Sequence, residues 1–309
     1  MTASSPRLLR LAFYLPHDHH ELAAVVSRAL DTYRHAVGAG PETLGKWCDT
    51  EGEGDWFPLT GSGWEVVRSW LRPGAHRFVE DWDAETFLHR NKKGFETFVS
   101  LAGTTPDTHG YAFTYLARLP WRTPREAISA VSFSLPTQFL EEQGPERVKA
   151  LALELAAGLP FSSGHAGLAF HLPNKSRQVM RTLRADLFRY PGLDVPTPGI
   201  TDSLGTRVDG VHWLNFLGPP VLGEMGSASG LRARLHSPET TVRELEGERV
   251  LVALGQSPEA GDLAQSHDLP AYRELARILE PWLVEAPSLS PWSGYSEEET
   301  RRWWRRFLD

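Results

Sequence analysis

Cysteine is nearly absent from this chain of 309 residues, in which Cys48 is the one example. A single cysteine excludes an internal disulfide framework and a cysteine-rich zinc site. No apolar run approaches the ~18 residues that a transmembrane helix needs. The short apolar run near the N-terminus lacks a small-x-small cleavage motif, and Pro16 and charged residues follow it at once, which disfavours a signal peptide. These absences predict a cytoplasmic protein.

Basic residues are also fewer than acidic residues. The chain has 32 Lys and Arg against 39 Asp and Glu, a net charge of −7, which disfavours non-specific binding to nucleic acid or to an anionic membrane. The two common phosphate-binding glycine motifs are missing, so nucleotide chemistry has no support. A hydrophobic fraction of 41% with 11 Trp excludes a disordered chain. The length allows one large domain or two packed halves.

The spacing of apolar residues predicts an α+β fold with mixed or antiparallel sheets flanked by helices. Residues 8–15 predict a buried strand, and Asp18 with Glu21 predicts a capping box that begins a helix. Further strands are predicted over 76–82, 94–101, 110–119, 127–135, 164–172, 231–235 and 249–254. Further helices are predicted over 63–71, 144–158, 174–189 and 270–283, and from a second capping box at Ser296 and Glu299. The consecutive strands before residue 120 predict an antiparallel meander.

The strand–helix start near residue 8 recurs near residue 127. This recurrence suggests a single globular unit over 1–309 that consists of two related halves, 1–122 and 123–309. No residue-level repeat accompanies it. The oligomeric state does not follow from the sequence.

The histidines His17, His19 and His20 are the first candidates for a metal or hydrolytic site. Adjacent helical residues do not share a face, so His19 and His20 are poorly placed to hold one ion. The run from His20 has Ala24 where a zinc-protease motif requires its second histidine. We therefore predict no metal site, no cofactor and no catalytic residue. A hydrolase that uses these histidines is the alternative.

Other motifs fail in the same way. Residues 226–230 have Ala228 where a nucleophile elbow requires serine, and we interpret them as a turn before a strand. Cys48 is interpreted as a packing residue. In the last helix the spacing of Trp303, Trp304 and Phe307 predicts a core-facing stripe, which leaves the arginines as a solvated face.

The strongest charge feature is the acidic segment 49–85. It has nine acids against three arginines, which is −6 of the chain's net −7. We predict a contact surface for a basic partner, because charge speeds encounter while a buried aromatic side chain supplies affinity. A mobile, solvated loop is the alternative. The predicted partner-binding residues are Asp49, Glu51, Glu53, Asp55, Trp56, Phe57, Glu80, Asp81 and Asp83.

The segment 210–226, GVHWLNFLGPPVLGEMG, predicts a buried strand that ends in a turn at Gly218-Pro219-Pro220. This segment, supported by SGHAGLAF at 163–170, resembles the signature of the bacterial type VI immunity family, long catalogued as a domain of unknown function. The resemblance covers nearly the whole chain. It implies a non-enzymatic immunity protein that binds and neutralises a cognate secreted antibacterial toxin, with a nuclease as the expected toxin and a neighbouring gene as its source. A scaffold protein of the secretion apparatus is a further alternative.

Overall fold

Ten strands form one antiparallel sheet in the computed structural model, which describes residues 7–48, 55–73, 97–104, 110–118, 126–172, 177–197, 199–285, 292 and 294–309. The strands are β1 (Arg7–Leu15), β2 (Lys46–Cys48), β3 (Phe57–Pro58), β4 (Thr97–Ala102), β5 (Ala112–Ala117), β6 (Ser129–Pro136), β7 (Ser163–Phe170), β8 (Leu214–Leu217), β9 (Thr240–Leu245) and β10 (Arg249–Leu254). Their order is β3-β2-β4-β5-β6-β1-β7-β8-β10-β9. The α+β prediction is confirmed, and the sheet is antiparallel in every pairing of these strands.

The helices of the described residues are α1 (His19–Val37), α2 (Gly61–Trp70), α3 (Thr137–Ala157), α4 (Arg177–Arg189), α5 (Val221–Glu224), α6 (Ser227–Arg234), α7 (Pro270–Leu279) and α8 (Glu297–Trp304). Both predicted capping boxes are present. The Asp18 backbone N–H donates to the Glu21 carboxylate at 3.2 Å, and that of Ser296 donates to Glu299 at 2.9 Å. Local sequence is enough to place a helix start because a cap bonds within one turn.

The central strand β1 has two buried faces. Leu9, Leu11, Phe13 and Leu15 belong to the large apolar core, which includes the inward residues of α1 and α3. Tyr33 of α1, for example, packs on Phe133 of β6 with ring centroids 5.3 Å apart. The alternate residues of β1, which include Arg10, Ala12 and Tyr14, lie on the opposite face. That face carries the charged residues described below.

Several local predictions are wrong. Residues 227–234 form α6, so the strand predicted at 231–235 and the turn predicted at 226–230 are not there. The buried Leu231 belongs to a helix that packs next to β9. The helix predicted over 144–158 matches the part of α3 that follows the kink at Gly144, whose φ of 77° suits glycine, whereas the part from Thr137 was not predicted. The short strands β2 and β3 were not predicted either.

The signature segment is confirmed as a buried strand and a turn. Leu214–Leu217 forms β8 between β7 and β10, and the turn at Gly218 leads directly into α5. Two of the three strands of the predicted meander are confirmed, because β4 and β5 pair antiparallel. The predicted strand at 76–82 lies outside the described residues. The two related halves stay a prediction.

Candidate functional site

The β3 edge of the sheet exposes aromatic side chains. Trp56 and Phe57 are 43% and 44% exposed, and only Leu263, at 40%, joins them as an exposed large hydrophobic residue within the described ranges. Asp55, also exposed, directly precedes them. We call Asp55, Trp56 and Phe57 the β3-edge surface. Two adjacent exposed aromatics are typical of a protein contact site, where such side chains supply most of the affinity.

Aromatic side chains of β2 and α2 pack against the β3-edge surface. Phe57 pairs with Trp47 across β2 and β3, and their ring centroids are 4.9 Å apart. Trp70 of α2 meets the other side of Trp47 edge-on at 5.2 Å. A side chain at Gly63 would lie 2.9 Å from the Trp47 indole nitrogen, so this close approach requires glycine. The packing of Phe57 on Trp47, and of Trp47 on Trp70, therefore supports the exposed aromatic surface.

Among the strands that the structure describes, β3 is an edge strand, and it does not suit addition of another strand. It has two residues, and the nitrogen of Pro58 carries no hydrogen to donate. A partner at this edge would bind through side chains. The other predicted partner-binding residues, Asp49, Glu51, Glu53, Glu80, Asp81 and Asp83, lie outside the described residues.

The N-terminal histidines do not form a common site. His19 is buried, and its Nδ1 and Nε2 each lie 3.2 Å from a partner, the hydroxyl of Tyr115 and the backbone oxygen of Arg72 respectively. His20 is exposed near the capping pair Asp18 and Glu21. His19 is buried because the first turn of α1 packs against β5. A hydrolytic role for His19 has no accessible nitrogen to support it.

A buried charged cluster lies on the polar face of β1. Arg10 donates to Asp194 at 2.7 Å, and the Tyr14 hydroxyl donates to Asp209 at 2.5 Å. His165 of β7 connects the two pairs: its Nδ1 is 3.1 Å from Asp209, and its Nε2 is 3.2 Å from Arg10. Register explains the meeting, because Ala12 of β1 lies opposite His165, between Arg10 and Tyr14.

His212 and Arg306 complete this cluster. The His212 ring stacks on His165 with centroids 3.8 Å apart and planes 15° apart, and its Nδ1 has no hydrogen-bond partner among the described residues. Arg306 lies over the Trp303 ring at 3.9 Å and donates to the Pro191 oxygen at 2.7 Å. Arg306 is therefore half-buried, and the prediction of a wholly solvated arginine face is wrong for this residue.

Burial and neighbouring charges set the protonation of the cluster. Burial would raise the pKa of Asp194, but Arg10 and His165 outweigh it and hold that pKa well below its ordinary value. Burial opposes the charge on His165, while Asp209 and Asp194 raise its pKa above the ordinary value. Burial and then the neighbouring His165 lower the pKa of His212 to about 3. The two opposite shifts favour a proton on His165 over one on His212.

Metal binding does not suit this arrangement, although His165, Asp194 and His212 bring their ligand atoms within 4.8 Å of one another. A histidine binds an ion in the plane of its ring at about 2.0–2.1 Å. The lone pairs of two stacked, nearly parallel rings run side by side and do not converge on one point. The Arg10 guanidinium already supplies the cation that Asp194 faces. The geometry fits an internal ion-pair network.

Sequence reasoning missed this network. Its signal was a charged or histidine residue inside an otherwise apolar strand: Arg10 in β1, His165 in β7 and His212 just before β8. Such residues are rarely buried without a partner. Their partners, Asp194 and Asp209, lie in irregular segments that carry no periodic pattern.

Comparisons with known proteins bear on the whole chain. The TsiV family model, described as type VI immunity for VRR-NUC, matches residues 25–307. Among solved structures, the Pseudomonas aeruginosa T6SS protein PA0821 is similar, with a TM-score of 0.71 and 19% identity over 97% of this chain and 84% of that one. At this identity the likeness shows a shared fold. No curated protein matches. Among the residues that the structure describes, no helix has the length and apolar character needed to cross a bilayer.

Proposed function

The chain belongs to the TsiV family of type VI immunity proteins for VRR-NUC, and on this basis we propose that it acts without catalysis, as a stoichiometric inhibitor that binds its nuclease toxin through the β3-edge surface. The exposed Trp56 and Phe57 carry this proposal. We place the encounter in the cytoplasm, where an immunity protein meets a toxin that acts on nucleic acid. The toxin encoded beside this gene is the expected partner.

Charge supports the pairing. A nuclease binds a polyanion, so its substrate-binding surface is expected to be basic. This chain is acidic, and most of its net charge comes from residues 49–85, the sequence segment that contains Asp55, Trp56 and Phe57. Complementary charge speeds encounter, whereas buried aromatic anchors slow dissociation. A patch of ordinary size, about 800 Å² on each partner, is enough for a stable inhibitor.

Binding measurements with matched variants test the site. Replacing Trp56 or Phe57 with alanine removes an exposed anchor, and we expect each change to weaken toxin binding by roughly 30-fold, as for an interface hot spot of about 2 kcal/mol. Leu263→Ala is the control, since Leu263 is comparably exposed outside this surface. Equal affinity in all three variants would remove the β3-edge surface from the interface. Absence of binding by the unaltered protein, together with no rescue of cells that express the toxin, would overturn the function itself.

Stoichiometry separates inhibition by binding from catalysis. Titration of the protein into a fixed amount of toxin should abolish nuclease activity at equimolar ratio, with full activity returning when the complex is dissociated. A catalytic antidote would act at a small fraction of that ratio and leave a permanently altered toxin.

The acidic residues are tested through salt. Changing Glu51, Glu53 and Asp55 to lysine should weaken toxin binding and make the remaining affinity less dependent on salt, because screened attraction between opposite charges is lost. Affinity unchanged in both low and moderate salt would exclude these residues from the contact.

A further inference from the structure

A cavity of about 660 Å³ opens at the end of the sheet opposite the β3-edge surface. The α5–α6 segment forms one wall, and the β9–β10 hairpin forms the other. Its floor is apolar and includes Leu222, Leu245 and Val250. Its rim is polar and includes Ser229, Glu244 and Glu248. We call it the hairpin cavity.

Two glutamates, Glu244 and Glu248, and one arginine, Arg249, line the hairpin cavity. The guanidinium of Arg249 lies in the wall, where it donates to the backbone oxygens of Glu246 at 2.6 Å and Leu159 at 2.6 Å and lies 5.0 Å from the Phe161 ring. Glu244 is exposed and pairs with Arg232 of α6 at 2.8 Å. Glu248 is exposed and has no ion-pair partner among the described residues. A cation entering the cavity therefore meets a carboxylate whose charge is unneutralised.

The backbone around this rim adopts uncommon conformations. Ser227 and Glu248 have φ values of 89° and 55°, and within the described ranges only Ser266 and Leu269 share a positive φ without being glycine. Left-handed backbone costs free energy for such residues and often occurs at binding sites. Here the two residues flank one opening, and the φ of Glu248 belongs to the hairpin turn that places its side chain on the rim.

The outer edge of β9 is closed to strand addition at its centre. Arg232 donates from Nε and Nη2 to the Val242 oxygen at 3.4 Å and 3.2 Å while it pairs with Glu244. A side chain covering an edge in this way discourages pairing with another strand. A partner at this end of the sheet would therefore use the cavity.

We propose that the hairpin cavity is a second docking site for the toxin, one that receives a basic segment with a lysine or arginine side chain. The methylene stem would lie against the half-buried Leu245, and the cationic head would reach Glu248. This inference rests on the proposed function, which supplies a partner with a basic surface. The β3 and β9 edges are about 40 Å apart at ~4.8 Å for each strand step, so the two contacts should contribute independently.

A cavity-filling variant tests the proposal. Gly223 lines the cavity, and a Cβ added there would meet no atom within 4 Å, so Gly223→Trp adds a large side chain at the lining without a clash at Cβ. We expect toxin affinity to fall at least roughly tenfold, the loss that a blocked anchor produces. Gln265→Trp, which adds the same side chain at an exposed residue elsewhere, should leave affinity unchanged. Thermal unfolding of both variants checks that they fold.

Charge variants give an independent measurement. Glu248→Lys should weaken toxin binding by roughly tenfold and reduce its salt dependence, whereas Glu298→Lys, the same charge change on the exposed face of α8, should do neither. The losses from Trp56→Ala and Gly223→Trp should multiply in the double variant.

The outcomes separate the two proposals. If the unaltered protein fails to bind the toxin, the proposed function is overturned. If it binds, but Gly223→Trp and Glu248→Lys bind within twofold of it, the hairpin cavity is not a toxin contact and the proposed function stands. Altered self-association of these variants with unaltered toxin affinity would assign the cavity to a second copy of the chain and overturn the inference.

Discussion

Alternate residues of β1 face two interiors that are built from different chemistry. Leu9, Leu11 and Phe13 enter an apolar core that α1 and α3 cover. Arg10 and Tyr14 enter the buried charged cluster with Asp194, Asp209 and His165. Apolar contacts stabilise roughly in proportion to buried area and tolerate rearrangement. Buried charges stabilise only as a complete set, because removing one member leaves another desolvated and unpaired.

The largest expected difference between the faces comes from breaking the Arg10–Asp194 pair. Asp194→Ala should lower the free energy of unfolding by roughly 4 kcal/mol, since it leaves the Arg10 guanidinium buried without its carboxylate. Replacing both residues with leucine should lower the free energy of unfolding less than Asp194→Ala alone, because no buried charge is left unpaired. Urea denaturation measures all three proteins. If the double leucine variant is at least as unstable as Asp194→Ala, the Arg10–Asp194 ion pair stabilises the fold more than an apolar pair does.

The apolar face should respond differently to truncation. Leu11 is fully buried, and Leu11→Ala should cost roughly 3 kcal/mol through lost burial and the cavity left behind. This loss should be the same at pH 5 and pH 8, because Leu11 lies in the apolar core and not in the buried charged cluster. A loss that varied with pH would show that the two faces are coupled through β1.

A matched pair of tyrosines compares hydrogen bonds on the two faces. The Tyr14 hydroxyl donates to the Asp209 carboxylate, whereas the Tyr33 hydroxyl donates to the neutral Ser134 backbone oxygen, both at 2.5 Å. Tyr14→Phe should cost about 2 kcal/mol and Tyr33→Phe about 1 kcal/mol, since bonds to charged acceptors are stronger. Equal losses in equilibrium unfolding would contradict a distinct role for the charged face.

The stability of the fold should also depend on pH through the stacked histidines. The lowered pKa of His212 means that, below the ordinary histidine value of 6.5, the unfolded chain binds a proton there that the folded chain does not. Stability should therefore fall as pH decreases from 6.5 towards 4, by about 1.4 kcal/mol per pH unit from this residue. The raised pKa of His165 acts oppositely: its contribution is complete below 6.5 and is lost as pH rises through its folded pKa.

Denaturation from pH 4.5 to 8 measures this dependence. His212→Asn should remove the acid slope of about 1.4 kcal/mol per unit, while Arg10, Tyr14, Asp194, Asp209, His165 and Arg306, which surround the stacked pair, stay in place. The carboxylates, with lowered pKa values, lose their contribution only below 3.8. Identical acid slopes in the two proteins would show that His212 is protonated in the fold.

Features that depend on neighbouring residues were predictable. The capping boxes at Asp18 and Ser296, the apolar strands β1, β6, β7 and β10, and the turn after β8 all follow from patterns within ten residues. The wrong strand at 231–235 shows the limit of such patterns. A short alternation of leucine and arginine fits either a strand or one face of a helix, and packing beside β9 decided for α6.

Sequence was enough to establish the acidic balance, the strand and helix periodicities, and the resemblance that indicated an immunity protein, and it predicted Trp56 and Phe57 as partner anchors beside their acids. Tertiary structure alone decided that Arg10 meets Asp194, 184 residues away, and that α5, α6 and the β9–β10 hairpin enclose a cavity. Periodicity and capping act within a turn or a strand. Ion pairing and enclosure depend on which distant segments the sheet register brings together, and a single sequence does not encode that register locally.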